Sequence, residues 1–161
     1  MSVDIHIQPL TPAAFAPFGD VLDTEGLPDK VINQGMCGRY HDRALLTFSD
    51  GRAGVSLFRA ETRDLPYPLR LLERHPLGSQ TFIPMTEHPF LVIVAGDEGG
   101  RPGRPLAFMT APHQAINFHK NTWHGVLTPL HDPGLFAVVD YIGNGPNLEE
   151  HWFDEELIVG H

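Results

Sequence analysis

The chain has 161 residues, of which 42% are hydrophobic and 19% charged, enough for one domain with its own core and too apolar for disorder throughout. Acids outnumber bases 20 to 11, and the formal charge of -9 disfavours nucleic acid or an anionic membrane as partner. Glycine and proline number 16 and 15, punctuation that suits many short segments and argues against a helical bundle.

Val3, Ile5 and Ile7 alternate with polar residues and predict a strand. Thr11 and Pro12 read as the N-cap and first position of a short helix over residues 13–18, closed by Gly19. A strand starts within residues 20–23, and residues 25–38 read as loop with a strand piece near Val31 and Ile32. Strands are predicted over residues 44–48 and 54–60, joined as a hairpin through Ser49-Asp50-Gly51. Residues 69–75 and 80–85 form two more, separated by the turn chemistry of His75-Pro76-Leu77-Gly78. Residues 90–95 are a continuous apolar run of the kind a buried strand shows, and residues 96–105 read as an exposed loop. Strands follow over residues 106–110, 115–119, 123–130 and 135–142, and the acidic residues 148–158 predict a short helix or an edge segment. Many short strands with almost no helix predict a mainly β fold, a closed barrel or sandwich of two antiparallel sheets, as a single domain over residues 1–161. No apolar run approaches the roughly 20 residues of a membrane span, and the first fifteen residues lack a signal-peptide pattern, so a cytoplasmic location is expected. The one cysteine, Cys37, excludes an internal disulfide framework and a cysteine-based zinc site.

Ten histidines are the unusual feature of the composition. Glu73 and His75 stand two apart in a predicted strand and so share a face; Leu71 shares it too, which points that face inward. They read as ion ligands or direct catalysts, or else as a polar surface pair. Gln80 follows on the returning strand. His119 and His124 flank a turn with Asn121 at its bend, and unaided they read equally as solvated turn residues. Arg39, Tyr40, His41 and Asp42 form a dense polar cluster of the kind a solvated turn carries. Asp140 lies in an apolar strand, where a buried acid needs a partner; it is a structural anchor or a residue steadying a histidine. Trp123 reads as core.

The pattern Glu73-x-His75-x4-Gln80, with His124 after a turn, resembles the two motifs of the cupin superfamily, with Glu73 standing for a histidine and Gln80 for an acid. A narrower resemblance covers residues 15–21, 39–42, 73–85 and 117–124. These segments look like those of the bacterial ureidoglycolate lyases, in the same order and at similar spacing, and the run Glu-Arg-His-Pro-Leu-Gly-Ser-Gln is the most specific.

The resemblance implies a cupin-like double-stranded β-barrel, usually a homodimer, that splits (S)-ureidoglycolate into glyoxylate and urea in allantoin breakdown. It also implies a divalent metal, nickel being the one associated with the family. Under it, His75 and His124 are expected to hold the ion, with Glu73 or Gln80 completing the set. Glu73, His119 and His124 are the candidates for acid–base work. Arg39 or Arg74, with Lys120 behind them, would hold the substrate carboxylate, and Gln80 would meet the urea portion. Two further readings stay open at this point: an amidohydrolase that releases ammonia, and a non-catalytic sensor of small acids on the same scaffold.

Overall fold

Sixteen strands and one short helix succeed one another along residues 2–161, the span that the computed structural model describes. In chain order they are β1 (Ser2–Pro9), α1 (Pro12–Phe15), β2 (Gly19–Leu22), β3 (Lys30–Ile32), β4 (Cys37–Arg39), β5 (Arg52–Ala60), β6 (Tyr67–Arg74), β7 (Gln80–Pro84), β8 (Phe90–Ala95), β9 (Asp97–Glu98), β10 (Arg101–Pro102), β11 (Leu106–Met109), β12 (Ala115–Phe118), β13 (Trp123–His124), β14 (Thr128–Pro129), β15 (Gly134–Ile142) and β16 (Glu149–Gly160). One sheet runs β11-β1-β16-β6-β13-β8-β14, and an added β8–β11 pairing closes six of its strands into a ring. A second sheet, β2-β12-β7-β15-β5, covers one side of that ring.

The apolar run of β8 is explained by this arrangement. Leu91, Ile93 and Ala95 fill the ring together with Leu69, Leu72, Trp123 and Val159. Phe90, Val92 and Val94 face the other way and pack with Phe82, Ile116, Phe118 and Val138 of the second sheet. A strand buried on both faces has no polar alternation to show. The result is a mainly β, cupin-like β-barrel.

The structure differs from the sequence-based expectation in several elements. Thr11 does cap the helix, accepting from Ala14 N at 3.2 Å, but α1 stops at Phe15 because Pro17 cannot continue the hydrogen-bond ladder. Residues 44–48 are not a strand. Side chains of the second sheet take their backbone groups instead: Leu45 N donates to Asp20 Oδ2, Asn117 Nδ2 donates to Leu45 O, and Thr47 N donates to Ser79 Oγ. Only Phe48 bridges, to Gly78, so Ser49-Asp50-Gly51 joins no hairpin. The exposed loop at 96–105 holds the small β9–β10 hairpin. The strand expected over residues 123–130 is broken into β13 and β14. The acidic C-terminal segment is neither helix nor edge: β16 is a central strand between β1 and β6. An irregularity between Trp152 and Leu157 interrupts its alternation, which hid the period of 2. Nor are the sheets wholly antiparallel, because β1 runs parallel to both β11 and β16. Parallel neighbours need long crossovers, which strands far apart in sequence possess and local pattern cannot show.

Candidate functional site

β6 and β13 are neighbours in the ring, and His124 pairs directly with Glu73. Directly paired residues share a face. Leu72 and Trp123, the residues beside them, fill the ring, so Glu73 and His124 face away from it, toward the second sheet. The inward direction expected for this face is therefore the interval between the two sheets, not the interior of the ring. Along β6 the ring-filling positions change phase from Tyr67 and Leu69 to Leu72, opposite the irregularity in β16. Leu71 shares the face of Glu73 but is no guide to the ring core.

The chain leaves β6 through His75, turns at Pro76 and Leu77, and enters β7 in the second sheet at Gln80. Each end of this crossing carries candidate residues. His75 and His124 have ring centroids 5.1 Å apart, and His124 stacks on Phe118 of β12 at 4.2 Å with planes 9° apart. Asn121, in the left-handed region at φ 67°, makes the bend between β12 and β13, and its N–H donates to His75 O at 3.0 Å. One ligand atom from each of Glu73, His75 and His124 lies within 4.8 Å of the others. Glu73 Oε1 is 4.0 Å from His75 Nε2.

Both ring tautomers follow from their partners. His75 Nδ1 is 2.8 Å from Asn147 O, and His124 Nδ1 is 2.8 Å from Gly125 O. A carbonyl oxygen only accepts, so each Nδ1 carries the proton and donates it. In the neutral rings each Nε2 is then a bare lone pair, and both Nε2 atoms are buried without a protein partner. Burial, aided by the neighbouring His75, pushes His124 down to about 3 against the pull of the Gly125 carbonyl. His124 is therefore neutral near pH 7. Burial also holds the Glu73 carboxyl above its usual range; Glu150 adds to this and His75 opposes it. Two imidazole lone pairs and a carboxylate, with the rings held from behind by carbonyls, form a donor set that fits a divalent transition-metal ion.

Gln80 pairs with Phe118 across β7 and β12, so it lies on the same face beside the stacked His124. Its Nε2 donates to Asp140 Oδ2 at 3.1 Å, while Oε1 is buried without a partner. Asp140 thus meets Gln80, and steadies neither His75 nor His124.

Other expected residues are not brought to this cluster. Asn117 and Asp20 are paired on β12 and β2, and they occupy the face of the second sheet turned away from the ring. His119 belongs with them: its Nε2 is 3.0 Å from Asp20 Oδ2, in a contact too bent for a good hydrogen bond. The expectation that His119 joins His124 met strand alternation, which sends residues 117 and 119 away from Phe118. Arg74 alternates away from Glu73 in the same way. Its guanidinium binds Asp97 Oδ1 and Glu149 Oε1, each at 2.9 Å, and lies 4.3 Å over the Trp123 ring. Arg39 ends β4 on an exposed hairpin, and Lys120 Nζ donates to Ser49 Oγ at 2.6 Å. Trp123 is core, as expected.

Sequence reasoning missed Asn147, whose carbonyl holds His75 and whose Oδ1 accepts from Leu77 N at 2.7 Å. It also missed the ring stack of Phe118. The carbonyl role has no residue signature; the stacking was hinted only by an aromatic two strands' reach from a histidine.

A family model described as ureidoglycolate lyase matches residues 2–160. Ureidoglycolate lyase of Rhodobacter capsulatus is 56% identical over 156 residues, covering 96% of this chain and 97% of the relative. Ureidoglycolate lyase 2 of Rhizobium meliloti is 50% identical over 159 residues, 98% of each chain. That of a Chelativorans species is 51% identical over 153 residues, 94% of this chain and 93% of the relative. With a family match over nearly its full length and relatives at this identity, the chain belongs to the ureidoglycolate lyase family.

Proposed function

We propose that the chain is a lyase that cleaves (S)-ureidoglycolate to glyoxylate and urea, acting as one domain over residues 1–161. The observation that carries this reading is the convergence of Glu73, His75 and His124 within a family match spanning residues 2–160. The substrate is a carbinolamine: one carbon bears a hydroxyl, a carboxylate and a urea nitrogen. Cleavage moves the hydroxyl O–H electrons into a new C=O bond while the C–N pair leaves with nitrogen. One proton must leave oxygen and one must reach nitrogen.

His75 Nε2, His124 Nε2 and the Glu73 carboxylate would hold a divalent ion, nickel being consistent with nitrogen and oxygen donors. When bound, such an ion supplies positive charge that lowers the pKa of a coordinated hydroxyl. His124, neutral because it is buried, presents a lone pair and has no proton at Nε2 to give. The Glu73 carboxylate oxygen not committed to the ion would take the hydroxyl proton and return it to the departing urea nitrogen. Gln80 Oε1 meets the urea portion. Arg74 and His119 act as supports on the opposite faces of their strands, and the substrate carboxylate is left to the ion site.

This reading places the enzyme in allantoin breakdown for nitrogen use, in the cytoplasm, as a homodimer. Support for the dimer comes from an exposed apolar face on the second sheet, with Val55 and Leu57 on the open edge strand β5. No helix among the described residues is long and apolar enough to cross a membrane. The decisive assay incubates the purified protein with (S)-ureidoglycolate and measures glyoxylate, urea and ammonia separately. Glyoxylate and urea in equal amounts are expected. Ammonia without urea would replace the lyase with an amidohydrolase, and binding without turnover would replace it with a sensor.

A further inference from the structure

A glutamine amide has two ends of almost equal shape and opposite hydrogen-bonding character. Which end faces a ligand depends on what grips the other. At Gln80 the grip is Asp140 Oδ2, 3.1 Å from Nε2. An ionised carboxylate accepts and never donates, so the NH2 end must face Asp140. The carbonyl end, Oε1, is left buried and unpartnered on a residue only 8% exposed. Leaving a buried acceptor unpaired is costly, so it marks a place where a donor is to arrive.

The donors available are few. His75 Nε2, His124 Nε2 and the Glu73 carboxylate all offer lone pairs to the same interval. A divalent ion would satisfy those three. Of the groups on the substrate, only the urea portion carries N–H donors once the hydroxyl and carboxylate are committed to the ion site. Glyoxylate carries no N–H donor.

We propose that Asp140 is a positioning residue that fixes the Gln80 amide with Oε1 toward the site, so that Gln80 accepts a hydrogen bond from a urea N–H of the substrate. The proposal rests on the ureidoglycolate reading and adds to it the group that distinguishes the urea half from the acid half. Asp140 touches no substrate; it acts through Gln80. Asn at position 140 can present either its oxygen or its NH2, so in Asp140→Asn the Gln80 amide is free to turn, and its NH2 then meets the donors of urea.

The test compares wild type, Asp140→Asn, Gln80→Leu and the double variant, each as isolated, with bound metal and thermal midpoint recorded. Product inhibition is measured with urea and, separately, with glyoxylate. Expected is a rise of about tenfold in the urea inhibition constant in Asp140→Asn, the scale of one lost hydrogen bond with a buried group left unpaired. The glyoxylate constant and the metal content stay as in wild type. The double variant is no worse than Gln80→Leu alone, because the two residues act as one unit. Equal shifts for urea and glyoxylate, or additive effects in the double variant, would overturn the proposal. If Asp140→Asn does not fold, Gln80→Leu still decides, since an unchanged urea constant there removes the acceptor. A wild type that forms no urea from ureidoglycolate would overturn the functional reading; calorimetric titration with urea then still reads Gln80, and wild-type binding weakened in Asp140→Asn upholds its orientation while no wild-type binding rejects it.

Discussion

His75 and His124 owe their tautomers to two backbone carbonyls, those of Asn147 and Gly125, and each presents Nε2 to the interval between the sheets. The rings cannot be exchanged for other donors without moving the lone pair. His75→Ala and His124→Ala are each expected to lower urea formation by at least about a hundredfold, the scale of one lost acid–base or electrophilic group. Both should also lower bound divalent metal by elemental analysis. Near-normal turnover in both variants would remove the cluster from the chemistry. Chelation of wild type should abolish activity and readdition of a divalent ion restore it; full activity in metal-free protein would mean these groups act on substrate directly. The spacing of Glu73, His75 and His124 was legible from the sequence because strand alternation and a known motif both bear on it. His119 and Arg74 were not legible, since Arg74 sits one residue from Glu73 and His119 one residue from Phe118, and alternation sends each to the opposite face.

Elements meet at a buried polar network on the outer side of β12, and it holds the loop of residues 40–49 where a strand was expected. Asn117, fully buried, donates from Nδ2 to Asp20 Oδ2 and Leu45 O and accepts from Thr81 Oγ1 at 2.7 Å. No periodicity reveals such a loop, because much of its backbone is paired by the side chains of Asp20, Asn117 and Ser79, far away in sequence. Burial opposes the charge on Asp20, but hydrogen bonds from Leu45 N–H and Asn117, together with the close His119 ring, outweigh it and hold the carboxyl below its usual range. The folded pKa thus lies under the unfolded one. The stabilisation is complete above the unfolded value near 4 and fades as pH falls through the folded value. Thermal melts of wild type should therefore lose stability below about pH 4, and Asp20→Asn should show a shallower loss with about 1–2 kcal/mol less stability at pH 7. Equal acid sensitivity in the two proteins would remove Asp20 from the linkage. A Cβ on Gly19 would run into the Asn117 carbonyl across β2 and β12. Gly19→Ala is expected to cost roughly 1–3 kcal/mol in denaturant melts by forcing β2 off its neighbour, and an unchanged midpoint would show that β2 can shift freely.

Across the whole molecule, strand positions were more legible than strand partners. The alternation in Val3, Ile5 and Ile7 marks β1, but nothing local says that it lies between β11 and β16 and runs parallel to both. Partners are chosen by which faces remain to be buried, a property of the finished fold. One face remains unburied in the single chain. On the outer side of the second sheet, Leu57 pairs with Ala137 and Ala137 with Ile83, a contiguous apolar row across β5, β15 and β7. Val55 is 73% exposed and Leu57 72%, and β5 is a sheet edge with free backbone groups. An exposed apolar patch beside an unpaired edge is unfavourable in water and is relieved when another copy covers it. Light scattering of the purified protein should return twice the 17.9 kDa of one chain. Val55→Glu combined with Leu57→Glu places like charges on that face and should give a monomer with unchanged far-ultraviolet circular dichroism, since neither side chain faces the core side of β5 that Phe58 occupies. A double variant that remains dimeric would move the contact away from β5, and the exposed β3–β4 hairpin, with Val31 and the neighbouring Met36, would be the next face to charge.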